Sequence, residues 1–197
     1  MTETWLLFAG LLLAAYLAGS VNFSIILFRV TGRSDPRGQF SGNPGTTNVY
    51  RQAGLFWAIV VLLLDFSRAM AVAWLAMILL PLPLVPWVGL GLILGNRFPC
   101  FHSFKGGKGV ANFLGFFALP GGILSLLSTL VWVIAYGLIR KPFIASFLMI
   151  FTLGGLVIYR NGTDPTAVAG IAVTCLFIVY NHKPNLVELF QKRRVSE

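Results

Sequence analysis

Residues 55–80 read LFWAIVVLLLDFSRAMAVAWLAMILL, and this stretch decides the kind of fold the chain adopts. An α-helix rises about 1.5 Å per residue, so about 20 apolar residues cross the roughly 30 Å of hydrocarbon in a bilayer. The stretch meets that length with Asp65 and Arg68 as its charges, and Pro81, Pro83 and Pro86 mark the turn that ends it. It is expected to span a membrane. The whole composition agrees, with 57% of the 197 residues apolar, 11% charged and a mean hydropathy of +0.82. Such a balance leaves a water-soluble globule short of polar surface, so lipid is the expected solvent.

The same ruler applied outward gives Trp5 to Phe28 as a first span, turning polar at Ser20, Asn22 and Ser24. Leu84 to Leu94 and Val110 to Leu119 are short, whereas Ile123 to Ile139, Phe143 to Tyr159 and Pro165 to Tyr180 are ordinary helix candidates. The expectation is an all-α integral membrane protein, a single domain over residues 1–197, with about seven transmembrane helices, two of them short. About five or six crossings result if a short segment is re-entrant. Met1 to Thr4 carries Glu3 and no Lys or Arg, and no small-residue cleavage site follows, so the first apolar run is expected to be retained.

Lys and Arg cluster at Arg29 to Arg51, Arg97 to Lys108, Arg140 to Lys141 and Lys183 to Arg194, which fall on one side of such a bundle. Arg160 alone falls in a loop on the other side. Cytoplasmic loops carry the positive excess, so the N-terminus is expected outside and the C-terminus in the cytoplasm. The net charge of +9 is spread through loops rather than along one solvated face, which favours anionic headgroups and phosphorylated partners over nucleic acid. Cys100 and Cys175 lie in different apolar segments without metal-ligand spacing and read as packing residues. No motif requires a metal or an organic cofactor. The chain shows no internal repeat.

Two polar loops and one intramembrane pair carry the chemistry. The first loop runs from Asp35 to Arg51 as DPRGQFSGNPGTTNVYR. Gly42 and Gly45 permit close backbone approach to a ligand, and Ser41, Asn43, Thr46, Thr47 and Asn48 offer hydroxyl and amide groups. Arg51 offers a bidentate grip for phosphate. The alternative is a structured turn whose side chains satisfy their own backbone. The second loop, FKGGKGVA from Phe104 to Ala111, leads into an apolar segment, so its amides lie where a helix dipole favours anions. Lys105 and Lys108 flank Gly106 and Gly107, and Gly109 follows. Gly109 stands where a nucleotide-binding loop would place its magnesium-binding hydroxyl, so ATP chemistry is not indicated. The competing reading is a flexible positive-inside loop.

Asp65 and Arg68 share a helical face, either as a functional pair or as a structural ion pair. His182 and Asn185 follow the last span and share a face; His102 reads as an interfacial residue. Neither histidine is followed by an Asp five residues later, and no Gly-x-Ser-x-Gly nucleophile motif is present.

At these loops the chain resembles the acyl-phosphate-dependent glycerol-3-phosphate acyltransferases of bacterial phospholipid synthesis, the PlsY family, over essentially its whole length. The matching elements are Gly19-Ser20, Asp35 to Arg51, Asp65 to Ala69, Phe104 to Ala111, and His182 to Asn185. The chain departs from the family pattern at Phe40 (Gly in the family), Arg68-Ala69 (Lys-Gly), Asn96 (His) and Pro184 (Glu). The resemblance implies an inner-membrane enzyme with its site on the cytoplasmic face, without a cofactor. It would transfer an acyl group from acyl phosphate to the sn-1 hydroxyl of glycerol 3-phosphate, releasing lysophosphatidate and inorganic phosphate. The amides of Gly106, Gly107 and Gly109, with Lys105 and Lys108, would hold the donor phosphate. Ser41, Arg51, His182 and Asn185 would orient the acceptor, helped by Gly42, Asn43, Thr47 and Asn48. A substrate phosphate oxygen or Asp65 would take the proton. The rival readings are a non-catalytic paralogue and a transporter for phosphorylated solutes or lipids. A transporter calls for a repeated half, and none is found.

Overall fold

The first apolar run, expected to form one span from Trp5 to Phe28, is instead broken where its sequence becomes polar. In the computed structural model, which describes residues 2–195, helix α1 (Thr2–Ser20) ends there and α2 (Phe23–Val30) begins anew. Asn22 caps α2, its side-chain oxygen accepting from the Ile25 amide at 3.1 Å and from the Ser24 hydroxyl at 3.0 Å. Met1 and the side chains of Lys192, Arg193 and Arg194, all part of the termini considered above, lie outside the described residues.

The remaining α-helices of the described residues are α3 (Thr46–Ala53), α4 (Leu55–Leu79), α5 (Val85–Arg97), α6 (Val110–Gly121), α7 (Leu124–Ile139), α8 (Pro142–Asn161), α9 (Pro165–Asn181) and α10 (Lys183–Val195). The last third of the first polar loop folds as α3, started by Gly45 and stopped by Gly54 at φ 87°. Four helical segments are long and apolar enough to cross a membrane, and a fifth is if α9 and α10, bent by 52°, form one span. Segment Leu82–His102 reaches 21 residues because 3-10 turns extend α5 at both ends. Outside these segments α6 has 12 residues, short as expected, whereas α7 has only 16 although Ile123 to Ile139 read as an ordinary span. The segment around Leu84 to Leu94, expected to be short, is long enough to cross. Large apolar side chains face outward along the bundle, among them Leu6, Leu63, Trp74, Leu126, Leu130 and Leu176. That surface fits a hydrocarbon solvent.

Small residues hold the helices together, as in bundles where lipid removes the hydrophobic drive between helices. A Cβ on Gly19 would lie 2.0 Å from the Leu92 carbonyl oxygen, and one on Gly95 2.0 Å from that of Tyr16, so α1 and α5 touch backbone to backbone. On α4, Ala69, Ala73 and Ala76 are fully buried along one face. Gly115 lets α6 approach that face, its notional Cβ 2.5 Å from the Phe66 carbonyl and 2.9 Å from Ala69 Cβ. Phe113, Phe116 and Phe117 fill the remaining core through tilted and edge-on ring contacts.

Arg68 ties this packing to the helix break. Its Nη1 donates to the Val21 carbonyl oxygen, left over where α1 stops. Its Nη2 donates to Asp65 Oδ1 at 2.7 Å and to Asn112 Oδ1 at 2.6 Å, and its guanidinium lies 4.9 Å from the centre of the Phe23 ring. One side chain thereby joins α1, α2, α4 and α6. Arg68→Leu is expected to lower stability by roughly 3–5 kcal/mol, because it strands a buried carboxylate. Adding Asp65→Asn should restore part of the loss. Thermal unfolding of the purified variants in one detergent checks this, and an unchanged midpoint for Arg68→Leu would contradict it.

Candidate active site

The two polar loops and the end of α9 converge on a cavity of about 430 Å³. The first loop contributes Ser41, Asn43, Thr46, Thr47, Asn48 and Arg51, the second Gly107, Lys108 and Gly109, and the C-terminal segment His182 and Asn185. Asp65 lies at its wall from α4. Of the sequence-derived candidates, Gly42, Lys105 and Gly106 face elsewhere, into a second cavity behind the loop.

Local geometry explains the loop sequences. Gly106 could bear no side chain, since a Cβ would lie 2.0 Å from the Asn96 carbonyl oxygen; Gly109 adopts φ +92° beside Ile93. The Gly106 amide donates to the Arg97 carbonyl at 3.1 Å and the Gly107 amide to that of Asn96 at 2.8 Å. These two amides were expected to grip an anion, but they are used to fold the loop. What faces the cavity is the Lys108 side chain together with the start of α6. The first internal bond there runs from Phe113 N–H to the Gly109 carbonyl, so the amides of Val110, Ala111 and Asn112 precede the intrahelical ladder.

Asn48 likewise serves the fold. Its Nδ2 donates to the carbonyls of Pro36 at 2.9 Å and Gln39 at 3.3 Å, which pins the first loop against α3. Phe40, where the family pattern has Gly, stands at φ +51° with 69% of its surface exposed. That left-handed backbone is the physical reason for a glycine there. Arg37 joins the two loops: it pairs with Asp35 at 2.6 Å and donates through Nη1 to the carbonyls of His102 at 2.8 Å and Lys105 at 3.1 Å. Arg37 holds the Asp35 carboxyl below its usual pKa, mainly through the side-chain hydrogen bond.

Lys108 Nζ donates to Asn185 Oδ1, linking the second loop to α10. Burial, then the neighbouring charges of Arg97 and Arg51, push its ammonium down to about 8. His182 is buried, with Nδ1 2.8 Å from the Ile178 carbonyl oxygen. A carbonyl only accepts, so Nδ1 carries the proton and Nε2 is the acceptor of the neutral ring. Asp65 differs from an available base: Arg68 holds its Oδ1 and it is 8% exposed.

Sequence reasoning missed the far wall. Trp132, Val133, Phe143, Met149, Leu62 and Leu114 make it apolar, and Trp132 Nε1 donates to Ser146 Oγ at 3.2 Å. Ordinary apolar residues in ordinary spans carry no signal of this kind. Asn96 and Asn112 also line the cavity, and an amide inside an otherwise apolar helix was the available clue to Asn112.

Among the described residues, an all-helical bundle with membrane-length apolar helices and a cleft lined by both cationic and apolar side chains defines a membrane protein with an amphiphilic cleft. The glycerol-3-phosphate acyltransferase family model matches residues 9–192, and the chain belongs to this family. It is 38% identical to the glycerol-3-phosphate acyltransferase of Pseudomonas entomophila, covering 95% of this chain and 98% of that one. It is 36% identical to that of Ralstonia nicotianae, over 93% and 92%. The crystal structure of PlsY (YgiH), an integral membrane glycerol 3-phosphate acyltransferase in its glycerol 3-phosphate form, superposes with a TM-score of 0.86. The identity there is 31%, with 94% of this chain and 93% of that one covered. Its lysophosphatidic acid form gives a TM-score of 0.82 at 30% identity with the same coverage.

Because burial and the neighbouring cations destabilise the Lys108 ammonium, anion affinity should depend on its charge. Inorganic phosphate is expected to bind more weakly as pH rises through about 8, with proton uptake on binding above that pH. Titration calorimetry in buffers of different ionisation heat reads both effects. Affinity that stays level through that range would remove Lys108 from the anion site. The stability effect has the opposite sign: the unfolded chain binds this proton up to about 10.5, so the folded state gains as pH rises between the two values.

Proposed function

We propose that the chain transfers a fatty acyl group from acyl phosphate to the sn-1 hydroxyl of glycerol 3-phosphate, yielding lysophosphatidate and inorganic phosphate. The observation that carries this reading is the amphiphilic cavity, lined by Arg51 and Lys108 together with Trp132, Phe143 and Met149. An acyl chain fits the apolar side chains, and two phosphate groups need the cations.

In this reading Lys108 and the amides at the start of α6 hold the donor phosphate, and Gly107 and Gly109 let the loop pass close to it. Arg51, Ser41, Asn43, Thr47 and Asn185 bind the phosphate of the acceptor. His182 accepts a hydrogen bond from a glycerol hydroxyl through Nε2. Asn48 and Gly42 shape the first loop. Asp65 keeps the wall in place through Arg68, so it acts by positioning. The acceptor oxygen attacks the acyl carbonyl carbon, forming the ester bond. The bond from that carbon to the phosphate oxygen breaks, and its electron pair leaves with phosphate. The hydroxyl proton passes to a phosphate oxygen, so no strong general base is needed. Holding both substrates together supplies most of the rate, and cations aimed at the leaving phosphate supply the rest.

The same proposal extends to the setting. The chain is a single membrane domain of the bacterial inner membrane, crossing about seven times through α1, α4, α5, α6, α7, α8 and α9. The N-terminus lies outside and the cleft opens to the cytoplasm. The clustered loop cations support this orientation, as does the position of Arg160. Its Nη1 donates to the carbonyl of Gly121 at 3.2 Å, the last residue of α6, whose first turn faces the cleft.

Purified protein given palmitoyl phosphate should release phosphate and form lysophosphatidate only when glycerol 3-phosphate is present, and palmitoyl coenzyme A should not replace the donor. Arg51→Ala should lower kcat/KM for glycerol 3-phosphate by roughly ten- to a hundredfold, the worth of a charge-assisted hydrogen bond. Phosphate release indifferent to glycerol 3-phosphate would sink the assignment.

A further inference from the structure

A second cavity, of about 330 Å³, lies back to back with the first and shares none of its residues. The two loops alternate between them: Ser41 and Asn43 face the first and Gly42 the second, Asn96 the first and Arg97 the second, Gly107 the first and Gly106 the second. Arg37, Arg97 and Lys105 converge on this second space. Only Arg37 has a carboxylate partner, Asp35; among the described residues no ion pair involves Arg97 or Lys105. The Nε of Arg97 is buried without a hydrogen-bond acceptor. The guanidinium lies 5.4 Å from the centre of the Phe98 ring, which holds it in one orientation. Cations gathered around one space repel one another unless an anion joins them, and a buried donor without an acceptor costs free energy.

We infer that the Arg37, Arg97 and Lys105 cavity is a second phosphate-binding site, for a phosphate group carried either by free inorganic phosphate or by an anionic lipid headgroup. Arg37 spends its donors on Asp35 and on the His102 and Lys105 carbonyls, so it builds the wall, and Arg97 and Lys105 bind. Phe98 and Phe104 line the same space with exposed rings, a combination suited to a headgroup at the membrane interface. The site has a route to the first cavity as well. Arg97 is the leading charge acting on Lys108, so an anion that neutralises it favours the Lys108 ammonium. The inference does not rest on the proposed reaction, since it concerns the binding of an anion to different side chains.

The test is binding by the full-length purified protein. In neutral detergent, equilibrium dialysis with labelled inorganic phosphate should resolve two sites per chain. Arg51→Ala should weaken one, and Arg97→Gln should weaken the other by roughly tenfold or more, with Arg97→Lys retaining it. In a parallel arm, native mass spectrometry should show phosphatidylglycerol bound to the parent protein and lost in Arg97→Gln. Loss in the lipid arm identifies a headgroup as the occupant, and loss in the phosphate arm alone identifies free phosphate. If Arg97→Gln does not fold, Lys105→Gln, on an exposed loop position, reads the same site. Binding unchanged in both arms overturns the inference.

Discussion

The structure depends on what becomes of one carbonyl group. A helix that stops inside a membrane leaves backbone oxygens that water cannot reach, and each must find a donor from the protein. Here α1 stops at Ser20, and Arg68 of α4 donates to the Val21 oxygen. A charge at that place needs its own partners, which Asp65 and Asn112 supply. The bend that carries the chain into the first polar loop, the placement of α4 against α6 and the position of the cleft's inner wall therefore follow from a single cluster.

The cleft itself is built by loops that fold on each other before they present anything to a ligand. The Gly106 and Gly107 amides close the second loop on Asn96 and Arg97, and Arg37 bolts the first loop to it. Ser20 adds a further tie, accepting from the Cys100 amide at 3.3 Å. Many of the polar groups in these motifs are thus consumed internally. Few remain at the cavity, chiefly Arg51, Lys108, His182 and Asn185; of these, His182 is oriented by the Ile178 carbonyl, and Lys108 by Asn185.

The departures from the family pattern have different physical weights. Ala69 is fully buried, with its methyl group in the gap left by Gly115, so its extra carbon is accommodated by the facing helix. Asn96 keeps the backbone carbonyl that the second loop needs and turns its amide toward Gly107. Pro184 occupies the first turn of α10, where a missing N–H is harmless. Phe40 is the strained one, a bulky residue in left-handed backbone at the loop surface.

Much of the bundle was legible in the chain because membrane helices are set by length and hydrophobicity, which are local quantities. Leu55–Leu79, Pro142–Asn161 and Pro165–Asn181 stand within a few residues of where the apolar runs place them. The cations of the cleft were legible as residue types, since Lys and Arg concentrate in the loops between apolar runs. What the sequence determined by itself was the solvent, most of the long helices and the residue types that line the cleft. Tertiary structure alone decided that Lys105 and Lys108 serve opposite cavities, that the Gly106 and Gly107 amides close a loop, and that Trp132, Phe143 and Met149 form the apolar wall. Those outcomes depend on which backbone atoms approach across helices far apart in the chain, and no local pattern of residues records such distances.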